Sequence, residues 1–387
     1  MRVSLIIPSF YPAVVYGGPI FSTYHTCSEL AMLHDIDIQV STTNTNMRSK
    51  LNVETNKWLY LKNFRVKYYN ETIIDKFSLS LAFNVWRDIK QADLVHIQSI
   101  FNTPTPISLI YAKILKKKVI LSPRGSLGEW CLENGNRFKS YWLKYAIAPF
   151  LNDVIWHSTA QQEKNEILKI FPTARVEIIP NGIEYGKFQN YNPLTSKQYI
   201  EKFLNLDADA EKIVVSMGRI QKKKGFDILI NSFVDVLNEY PESKLLIAGE
   251  NEGELTKLLS LVNNLKLTEF VFFIGPISGQ DKIDFLSNAD LFVLPSHNEN
   301  FGNVYVESLA VGTPIVASTN TPWCEVEDAD CGKWVPNSIK ETSHAMMKML
   351  SKDRETMRRN AKTLAEKYDW KNVAVQFKKV YENMVGL

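Results

Sequence analysis

Short apolar runs alternate with longer amphipathic ones along most of the chain. In the first half, 3–8, 36–42, 94–98, 119–122 and 154–158 are compact, rich in β-branched residues and bounded by polar or turn-forming ones, which predicts buried strands. Between them, 20–33, 106–115, 140–150 and 161–170 place apolar residues at helical spacing. Strands separated by helix-length segments make a parallel sheet with crossover helices. The rhythm restarts near Ile213. Strands are expected at 213–217, 244–248, 270–274, 291–295 and 314–317, and helices at 225–239, 253–263, 280–288 and 303–311. Residues 44–90 are richer in Asn and aromatics and give no ordered reading. Two similar α/β halves imply two Rossmann-like domains facing each other across a cleft, 1–182 and 183–370, with Pro180-Asn181-Gly182 as turn and hinge. The last segment carries Val373, Phe377, Val380, Tyr381 and Met384 at helical spacing and reads as a closing helix.

The carboxyl ends of parallel strands are where open α/β sheets bind ligands, and two such ends carry unusual chemistry. After 291–295 the chain reads Glu299-Asn300-Phe301-Gly302-Asn303-Val304-Tyr305-Val306-Glu307. Gly302 permits close backbone approach, and the N–H groups that open the next helix suit an anion such as a diphosphate. Glu299 suits the hydroxyls of a sugar, and Glu307 the paired hydroxyls of a ribose, since an ionised carboxylate offers two acceptor oxygens. After 213–217, Gly218-Arg219-Ile220-Gln221-Lys222-Lys223-Lys224-Gly225 puts a guanidinium and an ammonium at a neighbouring strand end, a pairing suited to a leaving diphosphate. Gly249-Glu250 and Gly275-Pro276-Ile277 are loop signals at the same edge. Tyr16-Gly17-Gly18-Pro19 permits a tight turn between first strand and first helix, but it is not the G-x-G-x-x-G of a dinucleotide fingerprint.

With 45% hydrophobic and 22% charged residues, the 387-residue chain has the apolar content for two cores, and its formal charge of +3 argues against a dedicated nucleic-acid binder. Lys116-Lys117-Lys118 and Lys222-Lys223-Lys224 are local basic patches. Cys27, Cys131, Cys324 and Cys331 form no C-x-x-C pair, which points away from zinc and disulfide frameworks and towards a cytoplasmic compartment. Pro8 ends the first apolar run too early for a signal peptide, and no run reaches the ~18 apolar residues of a spanning helix. Asp35-Ile36-Asp37 and Asp328-Ala329-Asp330 have the spacing of a metal-holding pair but read as turns. His96, His157 and His297, each at a strand end, read as hydrogen-bonded structural residues.

The E-x7-E pattern of Glu299 and Glu307, with Phe301-Gly302 between them, resembles the motif of retaining glycosyltransferases of the GT-B fold, family four. Gly17-Gly18, Pro180-Asn181-Gly182-Ile183, Gly218-Arg219-Ile220 with Lys224-Gly225, and Tyr368-Asp369-Trp370 occur in the family's order. The resemblance implies that Arg219 and Lys224 neutralise the leaving diphosphate while Glu299 positions the sugar. It places Gly17, Gly18 and Gly218 around the donor, the backbone of Asn300, Phe301 and Gly302 near the sugar, Asn303 and Val304 near the diphosphate, and Ile277 near the nucleobase. It also implies that helix 371–387 packs back on the first domain.

The donor is then a UDP- or GDP-sugar, and neither metal nor cofactor is required. Many relatives have a histidine where Arg124 stands. A permanently charged arginine cannot act as an ordinary base; it orients an acceptor hydroxyl, offsets phosphate charge, or simply bonds loop carbonyls. Tyr16 and Trp130 offer flat surfaces to an acceptor sugar. The form Ser122-Pro123-Arg124-Gly125 looks like bacterial surface-polysaccharide transferases of capsule and lipopolysaccharide, which implies a saccharide or lipid-linked saccharide acceptor. A sugar-nucleotide epimerase of related form and a non-catalytic nucleotide-sugar-binding protein are the alternatives. Peripheral contact with anionic membrane is expected through Lys116–118. Phe138, Tyr141, Trp142 and Tyr145, in the basic-aromatic stretch 137–145, are read as the buried face of a crossover helix rather than as lipid anchors.

Overall fold

The computed structural model describes residues 1–72, 76–128, 131–132 and 138–386. Internal contacts divide the chain into two units, Met1–Gly182 with Trp370–Leu387, and Ile183–Asp369.

The first unit is built on a sheet of order β10-β9-β8-β7-β1-β2-β6-β5. Its strands are β1 (Arg2–Ser9), β2 (Asp37–Thr43), β5 (Trp58–Leu61), β6 (Phe64–Tyr69), β7 (Leu94–Gln98), β8 (Lys118–Ser122), β9 (Val154–Ser158) and β10 (Arg175–Ile178). A two-residue hairpin, β3 (Thr45–Asn46) with β4 (Ser49–Lys50), stands apart from it. All pairings in the sheet are parallel except β5 with β6. Alternation sends Val3, Leu5 and Ile7 of β1 into one core and Ile6 into the other, as a sheet covered on both faces requires. Helix Trp370–Val385 seals the first of these cores with Trp370, Val373, Ala374, Phe377 and Tyr381.

The second unit has six parallel strands in the order β13-β12-β11-β14-β15-β16. They are β11 (Ile213–Met217), β12 (Lys244–Ala248), β13 (Val271–Gly275), β14 (Leu291–Leu294), β15 (Ile315–Ser318) and β16 (Gly332–Val335). From β11 the chain winds outward through β12 and β13, then returns to place β14 on the other flank of β11. That reversal is a topological switch point, and it opens a crevice at the carboxyl ends of β11 and β14.

The segment 140–150 departs from the expected amphipathic helix. It is broken into α (Phe138–Tyr141), π (Trp142–Ile147) and 3-10 (Ala148–Phe150) turns, with Pro149 unable to continue a regular ladder. The change of period rotates the side chains. Leu143 and Ile147 are buried while Phe138, Tyr141 and Tyr145 are 68%, 61% and 63% exposed, so the aromatic face predicted to be buried is mostly on the surface. Only Trp142 turns inward, its Nε1 donating to the Ile100 carbonyl at 2.9 Å. In 44–90, β6 and helix Leu79–Gln91 are regular and were hidden by the polar positions between their buried residues.

Candidate functional site

The crevice of the second unit is assembled by two loops that could not approach each other without Gly225. Its φ is +67°, and a Cβ there would lie 2.1 Å from the Pro295 carbonyl oxygen, so only glycine lets the Lys222–Lys224 turn close against the end of β14. His297 N–H completes the junction by donating to Lys223 O at 2.8 Å. The stem of Lys224 then crosses Gly218, and its ammonium bonds Glu299 Oε1. Both side chains are largely buried, at 14% and 13% exposure. Ser296 Oγ lies 3.3 Å from the same carboxylate oxygen.

Beyond Glu299 the backbone is held rigidly: Glu299 N–H donates to Asn320 O at 3.2 Å, and Trp323 Nε1 donates to Phe301 O at 2.7 Å. Phe301 packs on Trp323 within the core. Gly302, at φ +76°, turns the chain into helix Asn303–Val311 and offers no capping side chain. The helix start, with its positive end of the peptide dipole, follows Glu299 by only a few residues. A Cβ on Gly302 would sit 2.7 Å from the Tyr305 ring, which is itself fixed by its hydroxyl bond to Leu294 O at 2.7 Å.

The other expected donor residues are placed as follows. Arg219 pairs with Glu252 at 3.0 Å and is 64% exposed, so its guanidinium is held loosely at the rim rather than fixed beside Lys224. Glu307 pairs with Lys282 at 2.7 Å; this lysine, on helix Gly279–Ser287, was not anticipated because it carries no motif. Ile277 is half-buried just past β13.

In the first unit, no atom of the described residues lies within 4 Å of where a Cβ on Gly17 or Gly18 would be. Tyr16 is not an open platform. Its hydroxyl contacts Thr45 Oγ1 at 3.0 Å and accepts the Met47 N–H at 2.7 Å, and Lys76 Nζ stands 5.0 Å from its ring centre. Arg124 donates from Nε to Gln98 Oε1 at 2.7 Å and from Nη1 to Asn181 Oδ1 at 3.0 Å, bonds that tie the ends of β7 and β8 to the Asn181 turn; its Nη2 is buried with no hydrogen-bond partner among the described residues. Trp130 lies outside the described residues. Both Asp-x-Asp pairs are engaged by cations: Asp37 by Arg2 and Arg65, Asp35 by Lys378, and Asp330 by Lys352.

His96 and His157 belong to a buried relay that spacing gave no means of finding. His157 Nε2 lies 2.8 Å from the Ile179 carbonyl, Ser122 Oγ is 2.7 Å from both His157 Nδ1 and His96 Nε2, and His96 Nδ1 is 2.7 Å from the Tyr381 hydroxyl. A carbonyl can only accept, so His157 Nε2 carries the proton. With both rings neutral, every other donor follows in one direction: Ser122 to His157, His96 to Ser122, Tyr381 to His96. Burial, reinforced by the Arg124 charge, pushes His157 down to about 3; burial likewise holds His96 well below the usual imidazole range.

Residues 198–367 match the family described as glycosyl transferases group 1. The alpha-monoglucosyldiacylglycerol synthase of Streptococcus pneumoniae is 30% identical over 59% of this chain and 52% of that protein. The D-inositol 3-phosphate glycosyltransferase of Corynebacterium aurimucosum is 30% identical over 46% of this chain and 44% of that protein. The chain thus spans about half the length of such curated relatives. Among solved structures, Anabaena HepE in complex with UDP superposes with a TM-score of 0.74 at 17% identity over 100% of both chains. WaaG, a glycosyltransferase involved in lipopolysaccharide biosynthesis, gives 0.68 at 16% identity, again over 100% of both. These likenesses define the fold as GT-B, with two Rossmann-like units. The matched residues lie within the second unit, and the match is in keeping with the family-four resemblance.

Proposed function

We propose that the protein is a retaining hexosyltransferase that moves a sugar from a UDP- or GDP-sugar to a saccharide hydroxyl, the acceptor being a lipid-linked intermediate of surface-polysaccharide biosynthesis. The observation that carries this reading is the Lys224–Glu299 pair at the switch point, just before the start of helix Asn303–Val311. A donor would separate the pair: its diphosphate takes Lys224 and the helix N–H groups, and its sugar hydroxyls take Glu299. Arg219 exchanges the exposed Glu252 for phosphate at little cost, since surface ion pairs contribute about 0–1 kcal/mol. Glu307, with Lys282 beside it, holds the ribose.

In the reaction the bond from the anomeric carbon to the diphosphate oxygen breaks, and its electron pair leaves on that oxygen. Lys224, Arg219 and the helix dipole stabilise the charge where it develops. The acceptor hydroxyl bonds to the same face of the carbon, and its proton passes to the departing phosphate oxygen. The scheme uses no protein nucleophile, metal or organic cofactor. The UDP in HepE supports UDP-sugars as the first donors to test, and the lipid product named for the streptococcal relative supports a membrane-borne acceptor. Among the described residues no helix is long and apolar enough to cross a membrane; exposed Phe138, Tyr141 and Tyr145, together with Lys116–118, support peripheral contact at the cytoplasmic face.

The test is product stereochemistry by anomeric NMR, with UDP-sugars and saccharide acceptors in the presence of a chelator. An α-linked donor should yield an α-glycoside. A β-product refutes retention, a donor epimer formed without acceptor identifies an epimerase, and tight donor binding without turnover identifies a non-catalytic binder.

A further inference from the structure

The first unit has a switch point of its own, where β7 and β2 flank β1 on opposite sides. The loop leaving β7 opens into a pocket of about 280 Å³ shared with Lys76 and the Phe138–Trp142 turn. Three aromatic side chains, Phe101, Phe138 and Trp142, and two ammonium groups, Lys76 and Lys139, line it, with no acidic residue among the described lining. The walls are tied in place. Thr103 Oγ1 donates to Lys76 O at 3.1 Å, Trp142 is held by Ile100 O, and Lys139 Nζ sits 5.1 Å from the Phe101 ring centre.

Asn102 supplies the decisive feature. Its Oδ1 accepts the Thr105 N–H at 3.0 Å, which fixes the opposite end of the amide as nitrogen. That Nδ2 is buried and has no hydrogen-bond partner among the described residues, on a residue only 8% exposed. A buried donor without an acceptor is costly and calls for one. Helix Pro104–Ile114 begins immediately beyond, and the positive end of its dipole adds to the two ammonium charges.

We propose that this pocket seats the phosphate group of a phosphorylated acceptor: Asn102 Nδ2, Lys76 and Lys139 bind its oxygens, and the aromatic wall packs on the ring or chain attached to it. The inference rests on the glycosyl-transfer reading and deepens it, narrowing the acceptor to a phosphomonoester or phosphodiester. The same chemistry is presented by a lipid headgroup and by a soluble polyol phosphate.

The experiment uses the whole chain and calorimetric titration. The soluble arm compares glycerol 3-phosphate with glycerol; the lipid arm compares phosphatidylglycerol vesicles with phosphatidylcholine vesicles. Asn102→Asp keeps the oxygen that accepts from Thr105 and replaces the donor with a second acceptor; Lys139→Gln removes one charge without touching the helix start. At least one phosphate probe should bind the native chain and weaken tenfold or more in each variant, with UDP affinity unchanged within twofold. Binding of glycerol 3-phosphate identifies a soluble source, and binding of phosphatidylglycerol vesicles alone a lipid one. Unchanged binding of both probes in Lys139→Gln, or no binding of either probe to the native chain at millimolar concentration, overturns the proposal even if Asn102→Asp fails to fold. Loss of UDP binding by the native chain would instead count against the donor reading.

Discussion

Lys224→Ala tests the donor site because the ammonium has one role in the structure and a separable one in the proposed reaction. It neutralises Glu299, and the two side chains are each about one-seventh exposed, at 14% and 13%. Removing one partner of a fully buried pair costs about 3–5 kcal/mol. Residual solvent access and the remaining Ser296 hydroxyl reduce that here to an expected ~2 kcal/mol. For a unit of this size that lowers the melting midpoint by roughly 4–8 °C. In the reaction we propose, the same ammonium faces the leaving diphosphate, and loss of one preorganised transition-state contact costs ~3 kcal/mol, about a hundredfold in kcat. A cycle with Glu299→Gln separates the two effects. In Lys224→Ala/Glu299→Gln the stranded carboxylate is neutral, so stability should recover by ~1 kcal/mol or more, while turnover stays at or below that of Lys224→Ala. Differential scanning fluorimetry and initial rates of UDP release at saturating donor measure both quantities. Near-native turnover in Lys224→Ala, or recovery of activity together with stability in the double variant, would refute the catalytic assignment and leave the pair a structural one.

Gly302→Ala should lower stability by about 1–3 kcal/mol, from its positive φ and the clash with Tyr305, and should weaken UDP binding because the helix start is displaced; an unaltered UDP affinity by calorimetry would remove the helix start from the donor site. The His96–His157 relay makes the first unit acid-sensitive. Both rings are neutral in the folded state, with His157 lowered to about 3, so above the unfolded value near 6.5 they contribute no pH dependence. As pH falls below it, the unfolded chain takes up protons that the folded one refuses, and stability drops by up to about 1.4 kcal/mol per pH unit for each ring. Urea titrations of the native chain between pH 7.5 and 5 should show this slope, and a flat profile contradicts the assignment of both rings as neutral. Flotation with liposomes should show binding that requires anionic lipid and weakens with salt; no binding at low salt argues for a soluble acceptor.

The buried strands were legible because a strand covered on both faces needs a near-continuous apolar run; β14 has an unbroken one, and β1 and β11 are each interrupted by a single serine. β10 escaped because it is an edge strand whose residues are mostly exposed, leaving no apolar signature to read. The break at 142–150 escaped because a π-turn changes which residues share a face, and that is settled by backbone hydrogen bonding rather than by spacing. At the candidate site, the sequence by itself determined the chemical identities: a carboxylate and an ammonium at strand ends, and glycines where the loops must turn. Local rules sufficed for these because strand ends and helix starts are near neighbours in the chain. Which charge meets which was decided only by tertiary structure. Lys224 reaches Glu299 through the contact of Gly225 with Pro295, Glu307 finds Lys282, and Asn102 is left with a buried donor, because each outcome depends on distances between segments far apart in sequence.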